Sequence, residues 1–364
     1  MSLLLGIGSG MESSRKWLLI SLVVSIIAIV FVLSITVTED TLKSLTSIKP
    51  EYLLIALGFR ALSWFVWGSR IKVLSGVIGN KISLIQATKI IVAGTFAAGV
   101  TPSYVGGEPA RIYLLGKEGM SYGDAAAVDL VGRALDGLAT GGAFIFAWLF
   151  FRSSIGSNMT INSFFVLIAI SFFFVIGIGL YSLRDPEHIR GLLARFERSR
   201  LLERISFGRS SSIINRLSTE IDNFRDGLSM LLRGDRKSLL LSAFLTVVFW
   251  ILLYSIAPIV LIGLGVKPMW ISAMSVQAML MILAMIPLAP GGSGVVEIGA
   301  ASLYRSIFPA DNLQILGVFV LVWRFVSYHT NLIVGGIISL NILKDTNLTG
   351  LPDILDDSRE DDVE

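Results

Sequence analysis

Thr101-Pro102-Ser103-Tyr104-Val105-Gly106-Gly107-Glu108 and Pro287-Leu288-Ala289-Pro290-Gly291-Gly292-Ser293-Gly294 decide the fold, because each interrupts a long apolar run with residues that a continuous helix does not keep. Proline removes a helix hydrogen bond and glycine accepts left-handed geometry, so each stretch predicts a stop and a reversal. Pro102, Gly106 and Gly107 mark the first break; Pro290, Gly291, Gly292 and Gly294 mark the second. Backbone groups freed by a break cannot face lipid and are tolerated only inside protein or beside a wet cavity.

The chain around these breaks is built for a bilayer. It is 54% hydrophobic and 16% charged, whereas a soluble domain carries roughly 25% charged residues. Apolar stretches near the ~20 residues needed to cross a bilayer recur at 17–37, 51–68, 124–151, 159–183, 238–264 and 313–343. The first follows Arg15 and Lys16 but is too long for a signal peptide and has no small-residue cleavage site, so it reads as a retained helix.

Basic residues at Arg15 and Lys16, at Arg70, Lys72 and Lys81, and from Arg184 to Lys237 predict cytoplasmic segments, with both termini cytoplasmic and the chain multi-pass in the cell membrane. The two broken segments, 84–118 and 270–307, then begin and end on one side each. Two re-entrant hairpins entering from opposite faces suggest an inverted repeat around a midplane site. The alternative is two kinked full spans. The expected fold is therefore an all-α polytopic integral membrane protein, with about six transmembrane helices plus two re-entrant helical hairpins.

This divides the chain into a cytoplasmic N-terminus (1–16), a first membrane repeat with its hairpin (17–183), a basic amphipathic stretch (184–237), a second membrane part with its hairpin (238–343) and an acidic, disordered tail (344–364). Within the amphipathic stretch, Ile214, Leu217, Ile221, Phe224, Leu228 and Leu231 form one apolar stripe, and Ile189, Leu192, Leu193 and Phe196 a shorter one. The chain contains no cysteine, which removes thiol chemistry, and His188 and His329 are too far apart for a local metal motif. No cofactor is expected, and the basic residues lie beside membrane segments rather than on a nucleic-acid-binding surface.

Chemistry concentrates in the ionisable residues of the apolar segments: Arg60, Glu108, Arg111, Arg133, Asp136, Glu297 and Arg324. A charge at a helix centre costs about 2.5–3.5 kcal/mol even on the lenient insertion scale, so these residues must face inward, pair or meet water. Asp129, Arg133 and Asp136 share one helix face, which allows Arg133 to bridge one carboxylate while the other meets Arg60, Arg111 or Arg324. Glu108 and Glu297 each follow a break. Either they cap their own half-helices, or the half-helix N-termini and arginines form a pocket for an anionic group. For Arg60 and Arg324 the alternative to head-group contact is pairing within the bundle, and His329 reads as a satisfied core histidine.

At these residues the sequence resembles the membrane region of the lysylphosphatidylglycerol synthase family. Thr101 to Glu108 with Arg111, Ala125-Ala126-Ala127, Arg133 and Asp136 is similar to one motif block, and Pro290 to Glu297 followed by Arg324 to the other. The resemblance covers about residues 15–343 and implies a flippase-like, lipid-translocating scaffold whose cavity is lined by Glu108, Arg111, Arg133, Asp136, Glu297 and Arg324. Family members that are multiple peptide resistance factors carry a soluble aminoacyl-transferase domain, in place of which this sequence has a short acidic tail, so synthase activity is not expected.

Three functions remain open: transport of an anionic phospholipid or isoprenoid-phosphate-linked head group; a membrane enzyme using Glu108, Asp136 or Glu297; or a non-transporting partner of a separate lipid-modifying enzyme or glycosyltransferase. No phosphate-binding G-x-x-x-x-G-K-[ST] loop is present, so transport would be passive or gradient-driven. No nucleophile–base set is recognisable.

Overall fold

The computed structural model describes residues 48–101, 104–155, 170, 211–284, 292, 294–308, 313 and 315–348. The expected spans at 17–37 and 159–183, the stripe at 189–196, the acidic tail beyond 348, and Pro102, Pro290 and Gly291 lie outside these residues. Every regular element among the described residues is helical.

Among the described residues ten α-helices follow in order: α1 (Pro50–Val77), α2 (Leu84–Gly99), α3 (Gly107–Lys117), α4 (Tyr122–Ile155), α5 (Ser211–Arg233), α6 (Arg236–Gly263), α7 (Trp270–Ala284), α8 (Val295–Arg305), α9 (Leu316–Arg324) and α10 (Thr330–Leu348). A π-helical turn, Phe325–His329, joins α9 to α10. Among the described residues four helical stretches are long and apolar enough to cross a membrane: α1, α4 over Tyr122–Phe150, α6, and α9–α10 over Leu316–Ile342. They coincide with four of the six expected spans. The chain is a polytopic membrane protein.

The two broken segments fold differently from these spans. The first is α2 followed by α3, 16 and 11 residues long; the second is α7 followed by α8, 15 and 11 residues long. At the rise of an α-helix these are about 17–24 Å, short of a ~30 Å hydrocarbon core. Each pair packs together and against a long helix.

Two cores hold the bundle. One joins Ile71 and Leu74 of α1, Ile90 and Ile91 of α2, Leu115 of α3, Val128 and Val131 of α4, and Leu228 and Leu231 of α5. The other joins Ile256 and Val260 of α6, Val276 and Leu280 of α7, Tyr304 of α8, and Phe319 and Trp323 of α9, with Ala56 of α1. Helices α1 and α6 pack along each other and tie the two cores.

The amphipathic stripe explains why α5 belongs to the bundle. Leu228 and Leu231 are buried and Phe224 packs on the same core, while Glu220 accepts a 2.7 Å hydrogen bond from the Gly123 N–H at the start of α4. The carboxylate thus meets a backbone donor that has no partner within its own helix.

Candidate site where the broken segments meet

The second break is organised by Glu297, which is fully buried on the first turn of α8. One carboxylate oxygen accepts the Gly294 N–H at 2.7 Å, and the other accepts Arg324 Nε at 2.7 Å. Glu297 thus caps its own half-helix, as one reading of the sequence expected, and is ion-paired with Arg324 as well. Gly294 has φ +87 and ψ −60, close to a strained γ-turn geometry that side-chain-bearing residues rarely adopt.

The first break reaches the same place. Arg324 hydrogen-bonds the hydroxyl of Tyr104, its guanidinium carbon lies 4.1 Å from the Tyr328 ring centroid, and Tyr328 donates at 3.0 Å to the carbonyl of Gly99, at the end of α2. Tyr104, not a glycine, carries the positive φ of this turn, at +59. Gly106 has an ordinary helical φ of −70, and Gly107 serves close approach, since a Cβ there would sit 2.9 Å from that of Ala98. This corrects the expectation that Gly106 and Gly107 supply left-handed backbone.

Arg60 stands beside this centre on α1. Its Nε donates to Asn331 Oδ1 at 2.9 Å, its Nη2 reaches the same oxygen, and Nη1 donates to Ser63 Oγ at 3.2 Å. Trp64 Nε1 donates to that Asn331 oxygen as well, at 3.1 Å. Arg60 thus has a neutral acceptor, and the bundle-pairing alternative describes its contacts.

Two more ion pairs are closed. Arg70 grips Asp136 with two bonds of 2.7 and 2.9 Å, donates to Thr246 at 2.9 Å, and shares Asp136 with Trp250 Nε1 at 3.0 Å. Arg111 holds Asp129 through bonds of 2.5 and 3.1 Å. A Cβ on Gly94 would lie 2.5 Å from Arg111 Cγ, so the bare backbone of α2 makes room for the arginine stem. Bidentate geometry of this kind suits arginine because its planar fork matches a carboxylate.

Arg70 corrects the sequence reading, which placed it in a cytoplasmic cluster with Lys72 and Lys81. The span expected at 51–68 ends not at 68 but at Val77, so Arg70 lies two turns inside α1 and is 2% exposed. Asp136 therefore pairs with Arg70, which was not among its expected partners. Arg133 departs as well: instead of bridging within its own helix face, it pairs across to Glu108.

That last pair differs from the others in access. The side chains of Arg133 and Glu108 are 38% and 37% exposed, against 5% and 0% for Arg324 and Glu297. Arg133 Nε has no hydrogen-bond partner. Arg133 lies 11 residues into α4 from Tyr122, about 17 Å along the axis and inside the membrane-length apolar stretch Tyr122–Phe150. An ion pair at that depth is admissible only beside water or another polar group.

The sequence reading passed over Tyr104, Tyr328 and Asn331. One signal was available: Arg324, Tyr328 and Asn331 repeat the four-then-three spacing of Asp129, Arg133 and Asp136. No such pattern pointed to Tyr104, whose role depends on a helix far away in sequence. His329 Nδ1 lies 3.3 Å from the Arg324 carbonyl, within the π-helical turn. Among the described residues no group of three or more His, Cys, Asp or Glu is placed to hold a metal.

The sequence of residues 18–335 matches the family described as the lysylphosphatidylglycerol synthase TM region. A UPF0104 membrane protein of Archaeoglobus fulgidus is 28% identical over 321 residues, covering 88% of this chain and 95% of that protein. A second UPF0104 membrane protein, from Methanothermobacter thermautotrophicus, is 22% identical over 270 residues, covering 71% and 74%. With its broken segments, their glutamates and their arginine partners all inside the matched region, the chain belongs to the lysylphosphatidylglycerol synthase transmembrane-region family.

Proposed function

We propose that this protein translocates a lipid with an anionic head group between membrane leaflets, and that Arg133 and Glu108 form the point where the head group engages it. The observation that carries this reading is the difference in exposure between Arg133–Glu108 and the three closed pairs. A phosphate can replace Glu108 as the partner of Arg133 and take up the unused Nε–H, because guanidinium recognises phosphate and carboxylate in the same way. Glu108, once released, takes a proton or remains hydrated in the crevice.

In this reading α2–α3 and α7–α8 are re-entrant hairpins of an inverted repeat, opening from opposite faces, with the termini and α5 on the cytoplasmic side. Their short helices support it, as does the contact of Tyr104 in the first break with Arg324, the partner of Glu297 that follows the second. The closed pairs fix the scaffold, and the open pair exchanges partners, so lipid binding shifts the population between two arrangements. Transport of this kind is passive or gradient-driven. The protein is not itself the catalyst in this proposal: the carboxylates of Asp129, Asp136 and Glu297 are each engaged by an arginine and buried within the bundle.

The test reconstitutes the purified protein in liposomes and follows transbilayer movement of fluorescent anionic phospholipids and polyprenyl phosphates. Wild type is expected to move at least one of them above the rate in protein-free vesicles, Arg133→Gln to abolish the movement, and Lys267→Gln, in the α6–α7 loop, to leave it unchanged. No movement of any anionic lipid by wild type, or full movement by Arg133→Gln, overturns the proposal. A glycosyltransferase captured by the idle protein would then favour the docking reading.

A further inference from the structure

Stripes on three helices meet to form a cleft of about 240 Å³ between α4, α6 and α7. Ala139, Ala143 and Phe146 face it from α4, Val247, Ile251 and Tyr254 from α6, and Ile271, Ser275 and Ala278 from α7. The three- and four-residue spacing places each set on one helix face. Small side chains on α4 and α7 open the space, which exceeds the ~150 Å³ of a cavity that admits benzene, so it is more than a packing defect.

Its mouth is apolar. Phe146, Val247, Ile251 and Ile271 are each about half exposed, and in a membrane-spanning bundle such a rim faces hydrocarbon rather than water. The interior is not wholly apolar. Tyr254 and Ser275 both line the cleft, both residues are more than nine-tenths buried, and neither Tyr254 Oη nor Ser275 Oγ has a hydrogen-bond partner. Leaving a buried hydroxyl without a partner is unfavourable, and an occupant carrying an acceptor oxygen would satisfy it.

The position selects the occupant. Ser275 is five residues into α7 from Trp270, or about 7.5 Å along the helix axis. That is where the polar interface of a ~40–45 Å bilayer gives way to its ~30 Å hydrocarbon core. At this depth a membrane lipid carries the oxygens that link its head group to its chains, with apolar chain immediately below. The leaflet concerned is the one at the α6–α7 loop, opposite α5.

We propose that this cleft is a lateral binding site for one chain of a membrane lipid, with a linkage oxygen of that lipid accepting from Tyr254 and Ser275. The site is separate from the Arg133–Glu108 crevice and does not depend on translocation, so a protein that fails to move lipid can still bind one here. Trp250 forms part of the cleft wall and donates to Asp136, so an occupied cleft also buttresses the Arg70–Asp136 pair.

The experiment places the full-length protein in nanodiscs containing a phospholipid with a diazirine in its acyl chain, irradiates, and maps the labelled residues by mass spectrometry. Label is expected on the cleft faces of α4, α6 and α7 at higher yield than on other lipid-facing residues such as Leu54 and Leu62 of α1, and Ala143→Phe, which fills the cleft, is expected to remove most of it. Ile271→Trp narrows the exposed mouth without loading the core and serves if Ala143→Phe does not fold. Tyr254→Phe combined with Ser275→Ala is expected to reduce cleft label while leaving that on α1 unchanged. Equal label on the cleft and on α1, or cleft label that survives a folded blocking variant, means that only annular lipid is present and overturns the proposal. Cleft label unaffected by removing both hydroxyls overturns the assignment of the linkage oxygen.

Discussion

The two broken segments carry the same signature, a glycine-rich break followed by a glutamate on the first turn of a short helix, yet they use it in opposite ways. At the second break Glu297 is sealed, tied to its own Gly294 and to Arg324, and the turn depends on glycine backbone at Gly292 and Gly294, with φ +65 and +87. At the first, Glu108 makes no cap to its own helix start and instead meets Arg133 in a half-exposed pair, while the turn is held by Tyr104 and by Gly106 donating to Thr101 Oγ1 at 2.9 Å. One motif therefore forms a sealed ion pair in one place and a half-exposed one in the other. Surroundings decide which.

The strongest way to break this comparison is to remove the anchor. Glu297→Ala or Arg324→Ala leaves a buried charge without its ion-pair partner and is expected to destabilise by about 3–5 kcal/mol. This is measured as loss of the folded peak and of the thermal transition in detergent. The double change Glu297→Gln with Arg324→Met is expected to recover part of that loss, because no unpaired ion remains. If either single variant melts like wild type, the second break is not an anchor.

Backbone geometry sharpens the same contrast. Gly294→Ala must hold φ near +87 and is expected to cost about 1–3 kcal/mol. Gly106→Ala has no such strain, and its cost comes from a Cβ 2.8 Å from Thr101 Cγ2 and 2.9 Å from both Thr101 Oγ1 and the Ala97 carbonyl oxygen. Substituting Thr101→Gly beside Gly106→Ala should therefore relieve part of the penalty, whereas no neighbouring change relieves Gly294→Ala. Paired melting curves separate strain from crowding.

Glu108→Gln and Arg133→Gln are expected to change stability by less than about 1 kcal/mol, since a half-exposed ion pair contributes little to stability. On the function proposed above, their effect falls on lipid movement instead. A drop in melting as large as that of Glu297→Ala would place both breaks in one structural class.

The smallest effect lies at the start of α6. The carboxylate of Asp235 accepts from Ser238 Oγ at 2.6 Å and from the Lys237 N–H at 3.0 Å, and these bonds hold its pKa below the ordinary aspartate value. A group depressed in the folded state stabilises it above the unfolded pKa, and the contribution disappears as pH falls through the folded one. Wild type should therefore melt slightly above Asp235→Ala at neutral pH, with the gap closing in acid.

Much of the architecture was legible in the sequence because the hydrocarbon core sets the length of an apolar helix and forbids exposed backbone. Four spans, both breaks and the inward face of α5 were visible on those grounds. Arg70 was not, because hydropathy drops as soon as a charge enters the window, and nothing local reveals that the helix runs on to Val77 with Asp136 waiting beside it. Glu297 was seen at its helix start, but whether it capped, paired or did both required the position of Arg324.

From the sequence alone came the membrane class, the two interruptions and the requirement that seven charged residues inside apolar segments find company. These follow from solvation, which acts on each residue according to its own chemistry and its neighbours along the chain. Only the tertiary structure decided the partners: Arg70 with Asp136, Arg111 with Asp129, Arg324 with Glu297, Arg60 with Asn331, and Arg133 with Glu108 at the open edge. Pairing depends on distances across helices. Several arginines and carboxylates satisfy the same local rule, and only packing selects among them and sets which pair is left half-exposed.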